Sequence, residues 1–195
     1  MTPQAESILE LFRSTGAYLN GHFRLTSGLH SPEYLQCALV LQYPDHAEKL
    51  GRLLAESIRG LTSEPVALVA SPALGGVIIG HEVGRALGVD AMFVERPTGT
   101  FELRRGFALN PGDKVLMVED VVTTGLSSRE AILAIEEAGA QVIAAASLVD
   151  RSGGSVDLGV PFHPLIALSF PTYAPEDVPE SLAATPAVKP GSRAA

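Results

Sequence analysis

The amino-acid sequence predicts an α/β protein built on a twisted parallel sheet with helices on both faces. The order strand, loop, helix, strand repeats along the middle of the chain, which is the signature of a parallel sheet. The runs of strand length are apolar throughout rather than alternating, as in strands covered on both faces. The length, 195 residues, suits a core with two flanking layers.

Residues 5–14 place Ile8, Leu11 and Phe12 on one helical face. A polar, irregular stretch covers residues 16–37, where Phe23 and Leu25 alternate as in a short strand ending at Ser27-Gly28. Residues 45–59 read as a helix with Ala47, Leu50, Leu53, Leu54 and Ile58 on one side. A buried strand at 66–70 leads through the small-residue loop 71–76 to a helix at 77–87, ended by Gly88. A strand at 91–94 and a polar loop at 95–111 follow. The next strand, 115–118, opens through a loop at 119–127 into a helix at 128–138, stopped by Gly139. Further strands are expected at 142–149 and 165–168. Residues 1–170 are expected to form one domain, with a small hood from about 16–40 and the segment after 160. Prolines 171, 175, 179, 186 and 190 break any period in the tail of 171–195, which is expected to be partly disordered.

Hydrophobic residues make up 46% and charged residues 18%, a globular composition and not a disordered one. Lys and Arg number 14 against 22 Asp and Glu, a formal charge of −8. Such a chain lacks the broad basic field that nucleic-acid backbones require, so no nucleic acid is expected as a partner. A local nest of N–H groups can still hold a phosphate in an acidic protein. The single Cys37 excludes an intrachain disulfide or a multi-cysteine metal site and reads as a buried small hydrophobe. The five histidines show no metal-ligand spacing. Glu6 and Glu10 near the start are unlike the basic end of a signal peptide. The most apolar run, 66–80, is too short for a bilayer and is broken by Pro72, Gly75 and Gly76. A soluble, cytoplasmic protein with no membrane partner is expected.

The chemistry is concentrated in Val115-Leu116-Met117-Val118-Glu119-Asp120-Val121-Val122-Thr123-Thr124-Gly125-Leu126-Ser127. A buried strand delivers two adjacent carboxylates at its C-terminal end, where ligands bind in open α/β sheets. The hydroxyl- and glycine-rich loop then opens into a helix whose N-terminal amides suit a phosphate. Helix capping by Ser127 or Ser128 would account for one hydroxyl, but not for paired acids, three hydroxyls and a glycine. No Gly-Lys-Ser/Thr occurs, so this is not a Walker loop.

The run from Glu119 to Ser127 resembles the phosphoribosyl pyrophosphate (PRPP) signature of type I phosphoribosyltransferases. The resemblance implies that Glu119 and Asp120 hold the ribose 2- and 3-hydroxyls and act as catalytic residues. It implies that Thr123, Thr124, Gly125, Leu126 and Ser127, with Val121 and Val122 before them, form the phosphate side of the PRPP site. His22-Phe23-Arg24-Leu25-Thr26-Ser27-Gly28-Leu29-His30-Ser31-Pro32-Glu33-Tyr34 is similar to the hood segment of orotate phosphoribosyltransferases, and so is Leu148-Val149-Asp150-Arg151. Orotate would then be met by Arg151, Thr123 and Tyr34. A guanidinium is a good bidentate partner for the orotate carboxylate. The resemblance covers residues 1 to about 170 and implies Mg2+ carried on PRPP rather than held directly by protein side chains. It also implies a homodimer in which one subunit's loop closes over the other's site.

Loop 71–76 matches the family's pyrophosphate loop, and residues 96–106 occupy the place of its mobile catalytic loop. The family usually has an arginine–lysine pair, a further lysine and a histidine there. Here Arg96 stands at the start, no lysine or histidine follows, and Arg104 and Arg105 are the other cations. Thr26 stands where some members have a lysine. Three other readings stay open on the sequence: a purine-base phosphoribosyltransferase, a PRPP-binding regulatory protein of the same fold without turnover, and a structural relative that has lost catalysis, which the lysine-free loop keeps open.

Overall fold

The structure, a computed structural model, describes residues 2–25 and 27–189. The chain divides into two compact units, one of residues 41–168 and one that joins the chain before residue 41 to the segment from Ser169 onward.

The larger unit is built on a six-stranded sheet. In chain order its elements are α3 (Pro44–Ser57), β3 (Leu68–Pro72), α4 (Gly75–Leu87), β4 (Asp90–Glu95), β5 (Glu102–Leu103), β6 (Lys114–Val122), α5 (Leu126–Glu137), β7 (Gln141–Asp150) and β8 (Phe162–Ala167). The strand order is β5-β4-β3-β6-β7-β8. All pairings are parallel except β4 with the short β5. From β3 the chain crosses through α4 to β4 on one side, and from β6 it crosses through α5 to β7 on the other. The order therefore reverses between β3 and β6, and the crevice outside their C-terminal ends is where such sheets bind ligands.

The uniform apolarity of these strands has a direct structural cause. Leu68, Ala70, Val115 and Met117 pack with Ala131, Ile132 and Ile135 of α5. The intervening Val69 and Ser71 face Gly80 of α4. Side chains of a strand alternate between faces, so helices on both sides demand apolar or small residues at nearly every position. α3 packs on α4, and the approach is close at Gly51, where a Cβ would come 2.5 Å from Glu82 Cβ and 2.9 Å from its carbonyl carbon.

The other unit contains α1 (Pro3–Ser14), the antiparallel pair β1 (Tyr18–Arg24) and β2 (His30–Leu35), a 3-10 turn at Pro175–Asp177 and the short α6 (Glu180–Ala183). The helix α2 (Cys37–Leu41) spans the boundary, and Cys37 is buried. Thr2 caps α1 by accepting from the amide of Ala5 at 3.2 Å, and α1 buries Ile8, Leu9 and Phe12. The tail bridges both outer edges of the hairpin, Val188 beside Phe23 and Tyr173 beside His30. His22, itself buried, links the two through Nδ1 to the Thr185 carbonyl at 2.7 Å and Nε2 to His30 Nδ1 at 2.6 Å.

Three expectations change. The stretch 16–37 is a two-stranded hairpin, because its polar residues alternate on a surface sheet. The segment after 160 belongs to the large sheet as far as Ala167, since β8 pairs along β7. The tail is ordered as far as Lys189, because its backbone donors and acceptors are used by the hairpin edges; residues 190–195, at the expected disordered end, lie outside the described residues. No helix among the described residues is long and apolar enough to cross a membrane.

Gly51→Ala should destabilise the protein by about 1–3 kcal/mol, the usual cost of overpacking a tight helix contact. Urea unfolding should show a lower midpoint with an unchanged slope.

Candidate active site

β6 continues to Val122, beyond the expected end at residue 118. Glu119 and Asp120 are thus strand residues, and alternation sends them to opposite faces. Glu119 follows Met117 to the α5 side, where its carboxylate accepts the hydroxyl of Ser128. Asp120 lies on the α4 side against the backbone of Gly75, where an added Cβ would come 2.5 Å from Oδ1. The loop after β3 and the acids ending β6 are thereby brought together. The Ala73–Leu74 peptide in that loop is cis, Leu74 is exposed, and the Ala73 amide donates to Val94 O at 2.8 Å.

Ser128 is not a cap. The N-cap of α5 is Gly125, with no side-chain cap bond. Gly125 has φ 73°, and a Cβ there would lie 2.4 Å from Val156 Cγ2, so both conformation and space require glycine. Thr123, Thr124, Leu126 and Ser127 are exposed around this turn. Val121 and Val122 pair with Val149 and Asp150 of β7 and tie the loop to the sheet. The loop offers hydroxyls and the amides of an opening helix, a cradle for an anion.

Burial pushes Glu119 up to about 7, reinforced by the charge of Asp120 and opposed by the Ser128 hydrogen bond and by Arg96. Burial also raises Asp120, opposed by the backbone amides of Val121 and of Asp120 itself. Hydroxyl donors from a bound diol would favour the charged forms.

Arg151 follows β7 directly, and its amide donates to Val122 O at 2.8 Å. It therefore leaves the sheet beside the loop of residues 123–127. The buried Asp150 holds the next turn by accepting from the Ser152 amide at 2.7 Å. Arg96 pairs with Glu130 of α5 and lies over the Phe101 ring at 4.3 Å. Residues 96–106 fold back as a hairpin through β5, and Arg104 and Arg105 both pair with Glu95 at the end of β4. The Arg105 hydrogen bond, with both guanidinium charges, holds Glu95 below the usual carboxylate range. Tyr34 belongs to the other unit, where its ring lies 5.8 Å from that of Phe23 and its hydroxyl donates to Gln36 at 3.3 Å.

Sequence reasoning missed Ser128 as the partner of Glu119. It also missed Arg129, whose Nη1 donates to Asp157 O at 3.0 Å and Nη2 to Thr124 O at 3.1 Å. A polar residue on the first turn of an amphipathic helix reads as solvated. The available signal was position, since both follow the loop glycine within one helical turn.

The model of the phosphoribosyl transferase domain matches residues 40–158. The chain is 69% identical over 189 residues to the orotate phosphoribosyltransferase of Novosphingobium aromaticivorans, covering 97% of each chain. It is 65% identical over 190 residues to that of Rhizorhabdus wittichii, again covering 97% of each. Among solved structures it resembles the orotate phosphoribosyltransferase from Aeropyrum pernix, with a TM-score of 0.70 and 26% identity, covering 83% of this chain and 93% of that one.

The raised Glu119 carboxyl carries a sign for stability. The folded state holds this proton from the ordinary 4.5 up to about 7, while the unfolded chain releases it. Stability from this group is therefore present at low pH and falls as pH rises through that window. Glu119→Gln should flatten that decline, read as a smaller difference between urea midpoints at pH 5 and pH 8.

Proposed function

The chain belongs to the phosphoribosyltransferase family, as an orotate phosphoribosyltransferase, and from that premise we propose how its residues divide the reaction. The enzyme transfers the 5-phosphoribosyl group from PRPP to N1 of orotate, giving orotidine 5-phosphate and pyrophosphate, a step of pyrimidine synthesis. The C1–oxygen bond to pyrophosphate breaks as the C1–N1 bond forms. The observation that supports the reading is the seat of Asp120 against Gly75, which brings loop 71–76 beside the acids near the end of β6.

In this reading Glu119 and Asp120 accept the ribose hydroxyls, and their charge supports an oxocarbenium-like centre. The amides and hydroxyls of residues 123–127 hold the 5-phosphate. Loop 71–76 meets the pyrophosphate through backbone. Arg151 takes the orotate carboxylate, with Thr123 as a second contact from the same unit. Arg96, Arg104 and Arg105 serve the leaving group, which requires the last two to exchange Glu95 for pyrophosphate. The donors at the crevice are carboxylates, hydroxyls and amides. Such hard groups suit Mg2+ that keeps most of its ligands from substrate oxygens and water. When bound, the ion supplies charge neutralisation to the pyrophosphate, and Glu119 and Asp120 are the carboxylates that would hold it through substrate or water. Residues 2–40 and 169–189 are read as the hood, the working form as a homodimer and its place as the cytoplasm.

The test is loss of orotate absorbance when PRPP and magnesium are added, with pyrophosphate released in equal amount. Faster use of a purine base than of orotate would overturn the assignment. Arg151→Ala should lower kcat/KM for orotate by about 2–5 kcal/mol of transition-state binding, with PRPP binding nearly intact. Unchanged orotate kinetics would place the carboxylate elsewhere.

The double variant Arg104→Ala, Arg105→Ala should depress kcat while leaving the protein folded. Mixed with Asp120→Asn, it should regain activity through hybrid dimers that hold one intact composite site. If subunits exchange and activity stays at the parental level, each loop serves its own site.

A further inference from the structure

We propose that Arg129 is a positioning residue that aims the phosphate loop, an inference that rests on the reading of residues 123–127 as the PRPP phosphate site. Arg129 lies four residues after Gly125, on the first turn of α5, and its amide donates to Gly125 O at 2.9 Å. Among the described residues its guanidinium pairs with no carboxylate. The two terminal nitrogens divide between two backbone carbonyls, Thr124 O at 3.1 Å and Asp157 O at 3.0 Å.

A carbonyl in the phosphate loop is a hazard to its function. The loop after β6 turns sharply at Gly125, where φ is 73°, and a peptide plane beside such a glycine can present either its N–H or its C=O to the ligand. A trans peptide points these groups in opposite directions. Holding the Thr124 carbonyl on Arg129 therefore directs the Gly125 N–H away from Arg129 and fixes that donor. Released, the same plane could turn a partial negative charge toward an anionic phosphate. The charged fork makes a stronger clamp than a neutral donor would.

The second arm gives the clamp a fixed base. Segment 152–159 holds its own shape through Ser155 Oγ to Ser152 O at 2.7 Å, the Val156 amide to Ser152 Oγ at 3.3 Å and the Gly159 amide to Asp157 Oδ1 at 2.8 Å. Val156 and Leu158 from this segment also press on Gly125, at 2.4 Å and 2.9 Å from where a Cβ would stand. Segment 152–159 thus needs Arg129 less than the Thr124 peptide does, and loss of the arginine should fall on PRPP rather than on orotate.

Two variants test this. Arg129→Lys keeps a charge but cannot span both carbonyls, and Arg129→Gln loses the charge as well. PRPP and orotate should be varied separately in steady-state assays, with melting temperatures measured alongside. The expected result is a KM for PRPP raised about tenfold in both variants, with kcat and the orotate KM close to wild type and melting little changed. Direct titration with inorganic phosphate should show the same weakening. A lysine variant with wild-type PRPP kinetics would show that charge alone suffices and overturn the proposal. So would a parallel worsening of both KM values with a large drop in melting temperature, the mark of a merely structural arginine. If Arg129→Gln does not fold, the lysine variant decides alone. Failure of the wild-type protein to use PRPP would instead refute the underlying reading, before any variant is compared.

Discussion

Where β3 and β6 run side by side, the chain leaves the sheet twice, and the space between the two exits admits no side chain at residue 75. The carboxylate of Asp120 occupies the place that a Cβ on Gly75 would need. The contact depends on the parallel register that sets Leu68 beside Val115 and Ala70 beside Met117. A shift of one residue in that register would turn Asp120 to the α5 face and Glu119 toward α4. The helices on both sides enforce the register, since each face of the central strands is already filled. Core packing and site geometry are thus one constraint.

The same alternation separates the two acids electrostatically. Adjacent carboxylates on a loop could both swing into water. Held in a strand, Glu119 is sealed beneath α5 with Ser128 as its donor, and Asp120 is left with backbone amides. Both are undersupplied with donors relative to their burial, which is why both resist ionisation. A diol is the complement of that deficit. The cations around the crevice are in the opposite condition: Arg96, Arg104 and Arg105 each have a carboxylate of this chain to hold, so an anionic ligand must compete for them.

The large sheet was readable because buried strands of a parallel sheet are uniformly apolar, and each helix there ends near a glycine. Glu119 to Ser127 stood out because paired acids followed by hydroxyls and glycine have no packing explanation. What the sequence concealed was local. The hairpin β1–β2 is half solvated, so its strands carry polar residues and lack a continuous apolar run. The strand β6 runs past the end that its apolar residues suggest because charged residues look like loop, although Glu119, Val121 and Val122 keep the pairing with β7. Arg129 was invisible because its partners are carbonyls, and backbone acceptors leave no trace in residue identity. The tail lacked periodicity because its order comes from edges of another segment rather than from a helix or sheet of its own.

That last dependence bears on how the protein is made. The unit containing β1 and β2 draws on residues far apart in the chain, with Val188 beside Phe23 and Tyr173 beside His30. Residues 41–168 form a contiguous unit with its own core, and all six strands of its sheet lie within that unit. During synthesis the larger unit can close as soon as it emerges. The hairpin must wait with two open edges until residues 173–188 are released to cover them. Exposed strand edges invite pairing with other chains. The order of translation therefore leaves a segment made before the larger unit to be completed after it, with its edges open in the interval.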